Sequence, residues 1–262
     1  MNKIVFDKLR LTNKLSSVCR YENNRIFALK VNSMNQIKVI IPAYNEQDSI
    51  AKVINEIPDV VNEIIVISNN STDDTVINAK KAGATVLTET KKGSGYACLE
   101  GMNYVASLDE KPDIIVFLDG DYSDYPEELT KLVEPILNDD VDFVIGARVK
   151  RLREQGSMTP QQVFGNWLAT FLMKLFFRAK FTDLGPFRAI KYNKLLVLEM
   201  EDKTYGWTVE MQLKALKYKL SYIEVPVKYR NRIGVSKVSG TVKGTIFAGF
   251  KILGWIFKYS FK

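Results

Sequence analysis

From residue 37 onward, apolar positions fall into short β-branched runs separated by stretches of helical spacing. A strand is predicted over 37–42, then a helix over 47–57, where Ile50, Val53, Ile54 and Ile57 recur at i, i+3, i+4 and i+7. A second strand follows at 63–68, and a helix over 73–82 that Gly83 closes. A third strand at 84–87 and a helix over 94–108 lead into a fourth strand at 113–118. The pattern continues with a helix over 126–137 and a buried-type strand at 141–146. Strands alternating with helices predict an α/β fold with a Rossmann-like, mostly parallel sheet, whose ligands bind beyond the carboxyl ends of the strands. The second half is less regular. It reads as an apolar helix over 159–177, a strand at 186–191, a helix over 208–219, an edge strand at 220–227 broken by Pro226, and a helical tail from 240.

Polar groups gather where the predicted strands end. Pro42, Ala43, Tyr44, Asn45 and Glu46 follow the first strand, and Ser68 to Asp73 the second. Lys92-Gly93-Ser94-Gly95 follows the third, Asp119 to Ser123 the fourth, and Gly146-Ala147-Arg148 the next. Each alone fits a turn or a helix cap. Together they describe a crevice with an aromatic side chain, carboxylates and cations, suited to a nucleotide diphosphate. In Asp119-Gly120-Asp121 the side chains two residues apart point to the same side of an extended chain. Such a pair suits a hard divalent cation that keeps its remaining positions for phosphates.

The succession I-P-A-Y-N-E, N-N-S-T-D-D-T, K-G-S-G and D-G-D-Y-S-D-Y-P resembles the family 2 glycosyltransferases of GT-A fold. The later G-A-R, T-D-L-G-P-F-R, Y-G-W-T-V-E-M and Y-R-N-R-I-G-V-S-K-V-S-G-T are similar to the dolichyl- and polyprenyl-phosphate mannosyltransferase branch. The resemblance covers roughly 37–241 and implies a GT-A domain over 37–239, preceded by an extension at 1–36. It implies donor contacts from Pro42, Ala43, Tyr44, Glu46, Ile67, Asn69, Lys92, Gly93, Asp119 and Gly120. Asn69 stands where many relatives carry an aspartate that accepts a base N–H, which leaves open uridine or guanosine as the base. Mg²⁺ or Mn²⁺ is implied on Asp121 with Asp119, and on Ser123 in place of the relatives' glutamine. Arg148, Arg232 and Lys237 would neutralise phosphates; the planar guanidinium pairs two oxygens at once. Transfer to an alcohol would need a carboxylate base, for which Glu210 is the candidate; a lipid phosphate is already ionised and needs none. Glu210 also fits as a charge favoured at a helix N-terminus, and Asp183 as either a turn residue or a wall of the acceptor site. The expected reaction is inverting hexose transfer from a nucleoside diphosphate sugar to polyprenyl phosphate. A hydroxyl acceptor is the alternative, and a basic membrane-associated adaptor with a degenerate fold the non-enzymatic one.

Composition narrows the chemistry. The 262 residues contain no histidine, which excludes Ser-His-Asp and Cys-His catalysis and His-ligated zinc. The two cysteines have no metal-type spacing and suggest free thiols in a reducing, cytoplasmic compartment. The net charge of +7 favours anionic partners, but aromatic–basic interleaving of the nucleic-acid-binding kind is absent outside the tail. Neither a signal peptide nor a spanning helix is expected. In the 240–262 tail, Lys243, Lys251, Lys258 and Lys262 fall within about 100° of arc at about 100° per residue, with apolar residues around the rest. That reads as an amphipathic helix, either an interfacial anchor on the cytoplasmic face of a membrane or a core-packing terminal helix.

Overall fold

A computed structural model describes residues 35–234 and 242–260, apart from the side chains of 242–246. Most of the expected 1–36 extension, Cys19 and Lys237 lie outside the described residues. The strands are β1 (Ile37–Ala43), β2 (Glu63–Ser68), β3 (Thr85–Thr88), β4 (Ile114–Phe117), β5 (Phe143–Ala147), β6 (Arg188–Lys191) and β7 (Tyr222–Pro226). The helices are α1 (Ile50–Asn55), α2 (Thr75–Lys81), α3 (Ser94–Ser107), α4 (Leu129–Asn138), α5 (Pro160–Phe177), α6 (Tyr192–Leu198), α7 (Trp207–Lys217) and α8 (Val242–Ser260).

The strands form one sheet in the order β3-β2-β1-β4-β6-β5-β7. β1 pairs in parallel with β2 and β4, and β5 in parallel with β7. β1 and β4 lie in the middle, and both are buried along nearly their whole length, as strands covered on both faces must be. Helix α3 reaches β1 closely because its inward face is made of small residues. A Cβ on Gly101 would stand 2.7 Å from Cγ2 of Ile40.

Three features differ from the sequence reading. β6 is antiparallel to both neighbours. β5 ends at the carboxyl edge and the chain re-enters at that same edge, Arg188 beside Ile145, so it must run back. The short helix α6 carries too few residues to display a period, yet it buries Tyr192, Leu195 and Leu198. The first helix narrows to Ile50–Asn55. β7 lies at the sheet edge as expected, ending in Pro226.

The apolar helix over 159–177 forms, started by a capping box between Thr159 and Gln162. Only Ala169, Thr170 and Met173 of it are buried; Phe164, Trp167, Phe171, Leu175 and Phe176 remain exposed. α8 packs against it and buries Trp255 and Ile256, while Phe247, Phe250 and Phe257 stay exposed. The tail is therefore core-packing on one side and apolar to the outside on another. No described helix is long and apolar enough to cross a membrane.

The tight α3–β1 approach makes Gly101→Val an overpacking substitution. The unfolding midpoint in urea is expected to fall by the equivalent of about 1–3 kcal/mol. An unchanged midpoint would show that the helix can lift off β1 without cost.

Candidate functional site

The strand-end groups do converge. A cleft of about 430 Å³ opens past the carboxyl ends of β1, β2 and β4. Pro42, Ala43, Tyr44 and Glu46 line it from β1, Asn69 from β2, and Lys92, Gly93 and Ser94 from the loop before α3. Asp119, Gly120 and Asp121 form its floor, and Tyr205 and Arg232 close it. Ile67 is fully buried in β2 and supports the cleft from behind, without lining it.

Three carboxylates, Glu46, Asp119 and Asp121, crowd this edge, and Arg232 answers them. Its guanidinium stands 3.0 Å from Glu46 Oε1 and 3.0 Å from Asp121 Oδ2. The 229–233 segment reaches this place because it pairs with the Asp–Gly–Asp turn: the N–H of Arg230 donates to Ser123 O and that of Ile233 to Asp121 O. Burial first, and the neighbouring Asp121 charge second, push the Asp119 carboxyl up to about 7, with partial relief from Arg232 and Arg148. Asp124 is raised well above its ordinary value by burial first and then by the Asp119 and Asp121 charges, and among the described residues both its oxygens are buried without a hydrogen-bond partner.

Ser123 is not at the ligand position expected for it. Its N–H and hydroxyl donate to Asp121 Oδ1 at 2.9 and 2.6 Å, and the residue is buried. Too short to reach past Asp121, it orients that carboxylate instead. Asp119 and Asp121 would hold a divalent cation. A hard cation such as Mg²⁺ suits such a pair, since it takes one or two carboxylates and leaves its remaining positions to phosphates.

Asn69 is also used differently from the expectation. Its Nδ2 donates to the carbonyls of Glu89 and Lys91, and its Oδ1 accepts the N–H of Gly93 at 2.8 Å. An aspartate could not donate, so the amide serves to hold the 89–93 loop. That loop in turn packs on the 199–206 segment. Gly93 has φ +142°, and a Cβ there would stand 2.2 Å from Lys203 O; on Gly95 it would stand 2.2 Å from Asp202 O. Only glycine permits this approach.

Glu210 does not reach the cleft. Fully buried in α7, it accepts the N–H groups of Glu201 and Asp202 at 2.8 Å each and pairs with Lys214 at 2.8 Å. It fixes the 199–206 segment, so the general-base reading is withdrawn. The alternative placement at a helix N-terminus describes it better.

A second cavity of about 830 Å³ shares Asp119, Asp121 and Arg232 with the first. Its walls are α5 (Phe164, Gly165, Leu168) and α8 (Ala248, Ile252, Leu253), with Arg148 and Tyr229 near its polar end. Arg148 is locked by Asp183: Nε and Nη2 donate to the two carboxylate oxygens at 2.8 and 2.7 Å. Burial opposes both charges, but the pairing outweighs it. It holds Arg148 above and Asp183 below their ordinary values. Sequence reasoning did not assign Tyr205 or Tyr229 to the site, although each opens a motif singled out above, and it did not pair α5 with α8, which requires knowing which helices pack together.

A family model described as glycosyl transferase family 2 matches residues 38–195. The chain belongs to that family. An uncharacterised glycosyltransferase of Mycobacterium tuberculosis is 31% identical over 214 residues, 81% of this chain and 94% of the relative. A UDP-N-acetylglucosamine–dolichyl-phosphate N-acetylglucosaminyltransferase of Methanococcus voltae is 29% identical, covering 82% and 92%. An undecaprenyl-phosphate mannosyltransferase of Micrococcus luteus is 28% identical, covering 80% and 90%. Among solved structures, glucosyl-3-phosphoglycerate synthase of Mycobacterium tuberculosis, in complex with Mn²⁺, UDP-glucose and phosphoglyceric acid, superposes with a TM-score of 0.70. It is 20% identical, over 88% of this chain and 81% of that one. The fold of this family 2 glycosyltransferase is GT-A.

Two outcomes follow for the enzyme. Glu210→Ala leaves the buried Lys214 with only the exposed Glu201 carboxylate and the Glu199 carbonyl, and strips the N–H groups of Glu201 and Asp202 of their acceptor, so stability should fall by about 2–4 kcal/mol in urea unfolding. The shape of the pH–rate profile should not change; loss of one limb at unchanged stability would restore Glu210 as the base. The second concerns pH. Between the ordinary 3.8 of an unfolded aspartate and about 7, folded Asp119 holds a proton that the unfolded chain has released. Stability therefore falls as pH rises across that window. Asp119→Asn removes this contribution, so its melting temperature should gain on the parent's from about pH 4 to about pH 7. Parallel curves would contradict the assignment.

Proposed function

We propose that the protein transfers a hexose from a nucleoside diphosphate sugar to polyprenyl phosphate, with inversion, at the cytoplasmic face of a membrane. The observation that carries this reading is the second cavity. It is apolar between α5 and α8, it ends at Asp119, Asp121 and Arg232, and it opens beside exposed aromatic side chains of both helices. A small polar acceptor has no use for walls of Phe164, Leu168, Ile252 and Leu253; an isoprenoid chain does. The named activities of the Methanococcus and Micrococcus relatives support the same acceptor class.

The donor occupies the 430 Å³ cleft, its base against Tyr44 and its ribose and diphosphate toward Glu46, Asp119 and Lys92. Asp119 and Asp121 would hold Mg²⁺ or Mn²⁺ there, with the Asp121 carboxylate fixed by the Ser123 hydroxyl. When bound, that ion supplies Lewis-acid neutralisation of the leaving diphosphate. Arg232 stands where both cavities meet and offsets charge on donor and acceptor phosphates. Arg148, aimed by Asp183, faces the acceptor phosphate. The acceptor oxygen is already anionic, so no base is required, which agrees with the burial of Glu210. The apolar helix pair excludes water from the meeting point.

The test is a donor screen. The protein is incubated with Mg²⁺ or Mn²⁺, a panel of nucleotide sugars and polyprenyl phosphate, and the lipid products are identified by mass spectrometry. A glycosyl polyprenyl phosphate from one preferred donor is expected, and Asp121→Asn should lower its kcat on the order of a hundredfold or more. Product formed only on a soluble alcohol or phosphorylated acid would refute the lipid acceptor.

A further inference from the structure

A third cavity, of about 520 Å³, runs along the other flank of α5 and touches the second only at Arg148 and Asn166. Its helical wall is the stripe Val163, Asn166, Trp167, Thr170, Phe171 and Lys174, spaced i, i+3, i+4, i+7, i+8 and i+11. Lys150 and Arg153, from the segment after β5, face that stripe. The acid on its wall, Asp183, is already neutralised by Arg148. Lys150, Arg153 and Lys174 form no ion pair among the described residues; the Nη1 of Arg153 lies 2.8 Å from the uncharged Sδ of Met158. The groove thus carries three uncompensated cations beside an exposed aromatic ladder. Phe164, Trp167 and Phe171 are each about half exposed or more, with successive ring centroids 5.9 and 5.7 Å apart.

Two lysines of α8 are used otherwise: Lys251 pairs with Asp202 at 3.2 Å and Lys258 with Glu201 at 3.6 Å, holding the helix to the body of the protein. Among the described residues, Lys150, Arg153 and Lys174 are uncompensated cations gathered in one groove next to the exposed apolar face.

We propose that this groove binds the headgroup of an anionic glycerophospholipid, its phosphate against Lys150, Arg153 and Lys174 and its acyl chains against Trp167 and Phe171. The inference rests on the reading of α5 and α8 as the membrane-facing surface, and names the lipid that surface selects. It gives the acceptor cavity on the opposite flank of α5 a fixed orientation toward the bilayer.

The experiment is vesicle sedimentation of the full-length protein, comparing pure phosphatidylcholine with phosphatidylcholine containing phosphatidylglycerol. The parent should prefer the phosphatidylglycerol vesicles, with a preference that declines in high salt. The Lys150→Gln/Arg153→Gln/Lys174→Gln variant should lose on the order of a hundredfold of that preference, at the usual contribution of each juxtamembrane cation. Its urea unfolding midpoint reports that the fold is kept, and single replacements, each losing about fivefold, stand in should the triple variant not fold. The occupant is located by brominated phosphatidylglycerol. Trp207 and Trp255 are buried, so quenching reports Trp167, and Trp167→Phe should abolish it. Equal binding of parent and variant, or of the two vesicle types, would overturn the proposal. So would release by soluble glycerol phosphate at the same concentration as the lipid. In detergent, the variant should keep the parent's KM for polyprenyl phosphate; a raised KM would assign the groove to the acceptor instead. Vesicle binding is read without sugar transfer, so failure of the acceptor assignment leaves this test standing.

Discussion

Three carboxylates brought to one sheet edge set the terms for the rest of this fold. Parallel strands β1 and β4 deliver Glu46, Asp119 and Asp121 to neighbouring positions because the backbone leaves the sheet there. Like charges so close, partly removed from water, repel strongly, and something positive must be supplied. The chain supplies it from far away in sequence. Arg232 lies 186 residues beyond Glu46 and arrives by pairing its own segment with the Asp–Gly–Asp turn. The charge that remains shows in the neighbouring carboxyls: Asp119 is pushed up to about 7, and Asp124 well above its ordinary value.

The same edge depends on a polar hub built behind it. Asp202 is buried and accepts from Trp255 Nε1 at 2.6 Å and from the N–H groups of Thr204 and Gly206, and it pairs with Lys251. Glu210 grips the preceding N–H groups. Between them they fix the 199–206 segment, against which Gly93 and Gly95 rest and from which Tyr205 enters the cleft. The C-terminal helix and the loop before α3 are thus tied to one set of hydrogen bonds. Such a network is stiff only when fully satisfied, which explains why Glu210 is more valuable here than as a base.

Much of this was legible in the sequence, and the limits have physical reasons. Strand-and-helix alternation gave the sheet, and the polar strand ends gave the cleft, because both follow from local periodicity. Asp119, Asp121, Tyr44, Lys92 and Arg232 all line it. Roles that depend on what a side chain meets were not legible. Ser123, Asn69 and Glu210 have the right chemistry for ligand, base partner and catalyst, but each is bound up with neighbours that only tertiary packing supplies. The direction of β6 was hidden for a related reason. Its residues read as any buried strand does, and orientation is decided by where the preceding helix returns the chain.

That reversed strand also divides the labour of the sheet. On the β3-β2-β1-β4 side the parallel order and its loops build the 430 Å³ cleft. On the β6-β5-β7 side the connection through α5 lies beyond the strand ends, with most of its large apolar side chains uncovered. An 18-residue helix with only three buried residues contributes little to folding by its own burial. It is held by its capping box, by α8, and by Asn166, whose side chain donates to Thr182 O and accepts from the Leu184 N–H. The two cavities built on these halves share only Asp119, Asp121 and Arg232 among their lining residues. The first cavity is therefore fixed by strand-end residues that the sheet cannot move without unfolding, whereas the second is walled by α5 and α8, which can be remodelled while the sheet stays intact.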